Sequence, residues 1–180
     1  MLLRPPRPPA GLAIELFLLR PEDVTEAYVS WLNDPAVNRF LLSRDQVHTV
    51  PSVCDFVAGL LESELDLFLG IRYRATGTHV GNIRLGPIEH ESASAPLGIL
   101  VGDRAMWGKG IASTAIDVVA DIARASLGLR SLWAGCFVTN VGSRKAFEKA
   151  GFAIDRLDTD GGTLLGKPED VVYLRRSLSF

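Results

Sequence analysis

The sequence has few cysteines, no long apolar run and no dominant charge. Cys54 and Cys136 are far apart in the sequence and lack metal-ligand spacing. We therefore expect no disulfide framework, and we predict a reducing compartment, the cytoplasm, rather than an oxidising one. No apolar run reaches the roughly 18 residues that a membrane helix needs, which argues against a membrane protein. The formal net charge is -2, so the chain as a whole shows no electrostatic preference for nucleic acid.

The N-terminus is proline-rich and lacks a secretion signal. Residues 1–10 contain four prolines and two arginines, without the apolar core of about 7–15 residues that defines a signal peptide. We predict a flexible arm over residues 1–12 and one folded domain over residues 13–180. The length of 180 residues, with 47% hydrophobic and 22% charged residues, suits a single domain with a full-sized core.

Hydrophobic periodicity predicts alternating strands and helices. The clearest helix covers residues 110–127, where apolar side chains recur at i, i+4, i+7, i+8 and i+11, and Gly128 ends it. The predicted strands are 14–19, 67–74, 79–85, 97–101, 132–138, 152–157 and 171–177, and the other predicted helices are 24–32, 36–42, 50–65 and 140–150. This order predicts a mixed α/β sheet with a strand–helix–strand crossover in its second half.

Two connections complete this prediction. Residues 87–96 are polar and are expected to form a loop. A glycine-rich loop containing Gly161, Gly162 and Gly166 is expected between the last two strands.

A glycine turn before the long helix carries the main chemical signal. The segment Trp107-Gly108-Lys109-Gly110-Ile111-Ala112 precedes a helix, whose first amides lack intrahelical partners and lie at the positive end of the helix dipole. Glycines allow a phosphate to approach the backbone. The turn therefore predicts an anion site, although a turn used only for connection has the same pattern.

Two common nucleotide-binding motifs do not match this turn. A P-loop requires glycine where the chain has Asp103, and serine or threonine where it has Gly110. A dinucleotide-binding fingerprint requires a third glycine at Ser113 and an early position in the fold. Both interpretations are therefore weak.

Two separated motifs resemble those of the GCN5-related N-acetyltransferases, the GNAT superfamily. Gly110 and Ala112 match the Gln/Arg-x-x-Gly-x-Gly/Ala motif, with Trp107 at its first position, and the segment from Asn140 through Ser143 to Glu148-Lys149-Ala150-Gly151-Phe152 resembles the family's second motif. Trp-Gly-Lys-Gly, with Trp31-Leu32-Asn33-Asp34-Pro35, resembles the branch of ribosomal-protein N-terminal and amino-sugar acetyltransferases.

The resemblance implies a mostly antiparallel sheet splayed between its fourth and fifth strands, flanked by helices, with acetyl-CoA in the gap. It implies pyrophosphate on the amides of residues 108–112, pantetheine on the strand edge at residues 99–101, and no metal; family members often form homodimers. The implied cofactor-binding residues are Ile99, Leu100, Val101, Trp107, Gly108, Lys109, Gly110, Ile111, Ala112, Ser113, Asn140, Ser143 and Phe147. Ser113 has an alternative role in capping the helix.

Acetyl transfer to an amine needs a proton acceptor and a stabilised leaving group. We predict His90 as the base, with Glu91 as second choice, since a histidine titrates near neutral pH; the alternative is a solvated acidic loop. The resemblance places Ser143 near the sulfur, although its hydroxyl also suits a helix N-terminus. Phe147 stands where many family members have a tyrosine acid, and a phenyl ring cannot protonate a thiolate.

The acceptor groove is expected between the 31–44 region and the 87–96 loop. Trp31, Asp34, Arg39 and Arg44 are the predicted acceptor-binding residues, and two arginines suit a phosphate or carboxylate. The alternative is that these side chains are solvent-exposed charges near a helix end with no role in binding. The leading hypothesis is acetylation of a small amine such as a nucleotide-linked amino sugar; the alternatives are acetylation of a protein N-terminus and a catalytically silent acyl-CoA sensor.

Overall fold

The computed structural model describes residues 13–178, so the predicted arm over residues 1–12 lies outside the described residues. In this part of the chain there are seven strands and five helices. The strands are β1 (Ile14–Leu18), β2 (Leu67–Tyr73), β3 (Thr78–Leu85), β4 (Ser94–Val101), β5 (Ser131–Phe137), β6 (Ala153–Leu164) and β7 (Lys167–Ser177). The helices are α1 (Glu26–Asn33), α2 (Pro35–Asn38), α3 (Val50–Glu62), α4 (Ile111–Leu127) and α5 (Val141–Lys149).

The seven strands form one sheet in the order β1-β2-β3-β4-β5-β7-β6. Neighbouring strands are antiparallel except β4 and β5, which are parallel. Because parallel neighbours need a crossover, α4 connects them across one face of the sheet. The predicted mixed, mostly antiparallel sheet is confirmed.

The two parallel strands separate along their length. Ser94–Pro96 of β4 pairs with Ser131–Trp133 of β5. Within the described residues, no pairing joins the later parts of these strands, residues 97–101 and 134–137. The sheet is therefore closed at the start of β4 and β5 and open at their carboxyl ends.

Helices cover the sheet in two groups. α4 packs on β4, β1 and β3 and against α5, which packs on β5, whereas α3 packs on β2. The α4 face contains the larger core, in which Ala115, Ile116 and Val119 are almost completely buried at helical spacing. A smaller core under α1 and α3 includes Tyr28, Val53 and Phe68. No helix in the described part of the chain is long and apolar enough to cross a bilayer.

The end of the chain differs from its prediction. The expected glycine-rich loop is a long hairpin, in which Gly161 and Gly162 belong to β6 and only Leu165 and Gly166 form the turn. β6 is the edge of the sheet and is mostly exposed, so its sequence lacks the apolar alternation of a half-buried strand. A bulge between Asp158 and Gly162 interrupts the alternation further.

Two other boundaries differ. α2 is a single turn that ends at Asn38 rather than at residue 42. The buried Asn38 side-chain amide donates to the carbonyls of Leu32 and Arg44, which folds the following segment back on the helix. β4 begins at Ser94, inside the predicted loop, because residues 94–96 pair with β5.

Candidate active site

The open end of the gap between β4 and β5 brings two helix N-termini together. α4 follows β4 and α5 follows β5. Since the carboxyl ends of parallel strands meet at one edge of a sheet, the turn before α4 and the start of α5 lie on the same side of the gap. The two segments with family motifs, far apart in sequence, are therefore neighbours in space.

The glycine turn has the backbone conformation that an anion site requires. Gly108 and Gly110 have φ angles of 76° and 78°, in the left-handed region that favours glycine. Gly110 is the N-cap of α4 and makes no side-chain cap hydrogen bond. The first amides of α4 are thus left without a capping side chain, and a Cβ on Gly108 would have no atom within 4 Å.

Ser113 lies in the first turn of α4 and lines the groove between α4 and α5. It is 9% exposed, and its hydroxyl donates to the Gly110 carbonyl at 3.1 Å. This bond closes the first turn of α4 but caps no backbone amide, since a capping side chain accepts from an N–H. Binding of the cofactor by Ser113 stays a prediction.

Trp107 anchors the turn to the end of β4. Its indole N–H donates to the Val101 carbonyl at 2.7 Å, and its ring is 47% exposed. The Arg104 guanidinium lies 5.8 Å from the ring centroid. The indole thereby fixes the distance between the glycine turn and the free edge of β4 at residues 99–101.

Lys149 is a site residue to which the sequence argument gave no role. Its Nζ atom lies 3.9 Å from the position of a Cβ on Gly110, which places the ammonium beside the start of α4. A groove between α4 and α5 continues from this point and is lined by Ser113, Thr114, Asp117, Val118, Asp121, Lys149 and Ala150. Lys149 occurs in the second motif, so the motif contained the signal, but only the packing of α5 on α4 shows where its side chain lies.

Asn140 and Ser143 begin α5 as expected. The Asn140 carboxamide oxygen accepts from the Ser143 amide at 3.3 Å, which confirms Asn140 as the N-cap. Phe147 is 2% exposed and packs edge-on against Phe152 at 5.0 Å between ring centroids. Its ring belongs to the core, and its contact with the cofactor stays a prediction.

His90 and Glu91 lie before β4, at the opposite end of this strand from the open gap. Both are exposed in the loop before Ser94, and the Ala93 carbonyl in this loop accepts from the Arg130 amide at the start of β5. This is the closed end of the sheet, and β4 extends roughly 23 Å from it to the open end. This position does not favour the base assignment, which stays a prediction, because the sequence identified the strand but not which of its ends the gap adjoins.

Arg44 is committed to a structural contact. Its guanidinium donates to the Leu41 carbonyl at 3.0 Å and to the Thr163 carbonyl of β6 at 2.7 Å, and its side chain is only 10% exposed. These bonds tie the segment after α2 to the last hairpin. These contacts do not favour direct binding of an acceptor anion by Arg44, which stays a prediction.

The other predicted acceptor residues lie in or next to α1 and α2. Asp34 caps α2 through the Ala36 amide and lies 4.0 Å from Arg104. Arg39 is exposed and its guanidinium lies 5.2 Å from the Phe40 ring centroid. Trp31 packs on Gly102 so closely that a Cβ there would collide with the indole. Contact of Asp34, Arg39 or Trp31 with an acceptor remains a prediction.

A half-buried histidine packs between α1 and the sheet. His79 contacts the rings of Phe17, Tyr28 and Trp31, at 5.2–5.6 Å between centroids. Its Nε2 lies 2.9 Å from the Gly81 carbonyl and within hydrogen-bonding distance of Asn82. Burial lowers the pKa of His79 below its usual value, so the ring is neutral here.

The remaining reactive groups belong to the core. Burial raises the pKa of the Cys136 thiol, and the side chain is 8% exposed, in agreement with its expected core position. Burial also raises the pKa of Tyr28. Among residues 13–178, no group of three or more histidine, cysteine, aspartate or glutamate side chains is arranged to hold a metal ion.

Comparisons with known proteins agree with this geometry. A family model described as an acetyltransferase (GNAT) domain matches residues 14–153. No curated protein matches the chain.

Solved structures resemble the whole fold. A spermidine N-acetyltransferase from Vibrio cholerae in complex with CoA and spermine has a TM-score of 0.82 at 17% identity, covering 92% of this chain and 96% of that one. A microcin C7 self-immunity acetyltransferase in complex with acetyl-CoA and AMP has a TM-score of 0.79 at 20% identity, covering 92% of both chains. At these identities the likeness shows the fold alone, whereas the family model covers most of the sequence. The chain therefore belongs to the GNAT acetyltransferases and is an acyltransferase.

Proposed function

We propose that this enzyme transfers an acetyl group from acetyl-CoA to the primary amine of a small molecule. The observation that carries the proposal is the uncapped N-terminus of α4, held by two left-handed glycines at the open end of the gap between β4 and β5. Bare amides beside a helix dipole favour a pyrophosphate. The gap leaves one edge of β4 without a neighbouring strand, and this edge can form hydrogen bonds with an extended ligand.

The residues around the gap fit the parts of acetyl-CoA. The amides of residues 108–112 suit the pyrophosphate, and the ammonium of Lys149 adds positive charge beside them. The free edge of β4 at residues 99–101 suits the two amides of pantetheine, which form hydrogen bonds like those of an added strand. Asn140, the N-cap of α5, lies on the same side of the gap as the glycine turn.

Acetyl-CoA supplies a thioester, and the chain supplies position and hydrogen bonds. An unprotonated amine forms the new N–C bond as the C–S bond breaks, the sulfur leaves as a thiolate, and the amine's extra proton passes to water. A backbone N–H of residues 99–101 stabilises the developing charge on the thioester oxygen, and Ser143 lies near the sulfur. Direct transfer fits this chain, because Cys136 is buried in the core and not available as a covalent acceptor.

The acceptor is proposed to be a small molecule. One solved structure of similar fold is named as a spermidine N-acetyltransferase and contains CoA and spermine, which supports a small amine as the acceptor. The support for a nucleotide-linked amino sugar is reduced to Arg39, since the guanidinium of Arg44 bonds to Leu41 and Thr163.

The test is a screen of amines with acetyl-CoA and detection of free thiol. The panel includes spermidine, phenethylamine, a nucleotide-linked amino sugar and a short peptide with a free N-terminus. We expect at least one small amine to accelerate thiol release and to appear as its N-acetyl product by mass spectrometry. Tight binding of acetyl-CoA without release by any amine contradicts enzyme function and favours a sensor, and release by the peptide alone favours N-terminal acetylation.

A further inference from the structure

One face of the second half of the sheet is open next to the gap. Alternate residues of β5 and β7, including Leu132, Ala134 and Leu174, face α4 and α5 in the larger core. The residues between them face the opposite side, where Trp133 and Tyr173 are half-buried and Gly135 is exposed. We name this side of β4, β5 and β7 the outer face.

Two glycines lie opposite each other where the strands begin to separate. Pro96 of β4 pairs with Trp133 of β5, so Gly98 and Gly135 each follow two residues later on the outer face. Both glycines are exposed. A Cβ on Gly98 would have no atom within 4 Å, so this position provides open space at the edge of the gap.

Tyr173 lies over this opening. It is the cross-strand partner of Gly135, and its ring edge lies 3.0–3.7 Å from the position of a Cβ on that glycine. Since β5 lies between β7 and β4, a ring that leans over Gly135 extends toward the gap. The Arg156 guanidinium, 4.0 Å from the ring centroid, holds the ring from the β6 side.

The surroundings of Tyr173 are aromatic and have balanced charge. The Trp133 and Tyr173 rings are 6.4 Å apart, and Leu100 lies beyond Gly98 on β4. Arg156 pairs with Asp158 at 3.3 Å, and Arg175 pairs with Asp155 at 3.6 Å. A polycationic acceptor needs carboxylates without partners, whereas these carboxylates already have arginine partners. An uncharged flat group matches this surface better.

We propose that Tyr173 binds the acceptor amine, and that the acceptor carries this amine on a short chain attached to a flat, uncharged ring. This inference rests on the proposed function. The phenol oxygen accepts a hydrogen bond from one amine N–H, which leaves the nitrogen lone pair directed toward the thioester in the gap. The ring of the acceptor lies on Gly98, against Trp133. Acetyl-CoA enters from the α4 and α5 side and the amine from the outer face.

The test compares amines and then variants, using acetyl-CoA with free-thiol detection. We expect phenethylamine to have a higher kcat/KM than spermidine. Tyr173→Phe is expected to lower kcat/KM for phenethylamine about tenfold, the effect of one lost hydrogen bond. Gly98→Ala is expected to raise the KM for this amine several-fold without affecting folding, because its Cβ occupies space that the protein leaves open.

Matched controls separate this inference from general damage and from the proposed function. Tyr73→Phe removes a phenol elsewhere, and Gly59→Ala adds a Cβ at another open position; both are expected to behave like the unmodified enzyme. All four variants should keep the calorimetric Kd for acetyl-CoA. Preference for spermidine or the peptide, no stimulation by phenethylamine, or an unchanged kcat/KM in Tyr173→Phe would each overturn the inference. Failure of the unmodified enzyme to bind acetyl-CoA would instead overturn the proposed function.

Discussion

At the residue scale, Lys149 lies beside the glycine turn from the last turn of α5. We expect Lys149→Met to raise the Kd for acetyl-CoA about three- to tenfold, because it removes one positive charge next to the pyrophosphate. This loss of affinity should be smaller at high salt, where the unmodified enzyme also binds acetyl-CoA less tightly. Calorimetry at two salt concentrations measures both effects.

Lys145→Met is the matched control, since this lysine is also exposed on α5, one turn earlier. Its Kd for acetyl-CoA should stay within about twofold of the unmodified value at either salt concentration. Equal losses in the two variants would show that net charge, rather than the position of Lys149, determines affinity.

For His90 and Glu91, also at the residue scale, we predict that substitution has little effect on catalysis. Because they lie at the closed end of β4, the double variant His90→Ala, Glu91→Ala is expected to keep kcat/KM within about twofold. A general base contributes roughly a hundredfold or more. Steady-state kinetics on any amine found active would therefore reveal a loss of that size, which would support the base assignment.

At the scale of elements, Arg44 connects two segments that are far apart in sequence. Its bonds to Leu41 and Thr163 link the segment after α2 to β6. Arg44→Ala is expected to lower the free energy of unfolding by about 2 kcal/mol, because it removes charged hydrogen bonds from a nearly buried site. It should also raise the acceptor KM several-fold and leave the Kd for acetyl-CoA unchanged.

Arg124→Ala, on the exposed side of α4, is the control for this experiment because its contact with Asp121 at 4.0 Å is solvent-exposed. Denaturant unfolding and steady-state kinetics provide the two readouts. If Arg44→Ala weakened acetyl-CoA binding as much as acceptor binding, the two sides of the gap would not be separate sites.

The fold was predictable from sequence wherever one face of an element is buried. α4 shows helical spacing because Ala115, Ile116 and Val119 all face the larger core, and the glycine turn was found from its composition. The second half of β6, after residue 157, was missed because its residues are mostly exposed on an edge strand, where the sequence carries no periodic signal. The long hairpin depends on its pairing with β7, which is a tertiary property.

The site was predictable only where its function depends on the backbone. Gly110 and Asn140 were found because a left-handed turn and a helix cap each restrict residue type. The positions of Arg44 and His90 in the fold could not be predicted, because they depend on which segments meet in space. Lys149 and Tyr173 received no role for the same reason.

At the scale of the whole molecule, we expect stability to depend on pH through His79. Burial lowers its pKa, and the charge of Arg72 acts in the same direction, against the hydrogen bonds to Asn82 and Gly81 and the charge of Asp23. The unfolded chain therefore binds a proton near pH 6.5 that the folded chain does not, so stability should fall as the pH drops through this value. His79→Gln is expected to show a smaller fall in Tm between pH 7.5 and 5.5.

His90→Gln is the control, because this histidine is exposed. The fall in Tm with pH, rather than Tm itself, is the readout, so a general loss of stability in His79→Gln does not affect the comparison. A fall in His79→Gln as large as in the unmodified protein would show that carboxylates alone cause the pH dependence.

The most direct test of the account is the calorimetric affinity of Gly110→Asp and Gly110→Ala for acetyl-CoA. Both variants place a side chain on a backbone with a φ of 78°, and a Cβ there has 3.9 Å to its nearest atoms, so alanine measures the backbone effect alone. We predict that Gly110→Ala keeps the affinity within about fivefold and that Gly110→Asp loses more than about thirtyfold, because its carboxylate repels the pyrophosphate. Equal affinities in the two variants would contradict the placement of the pyrophosphate at the start of α4.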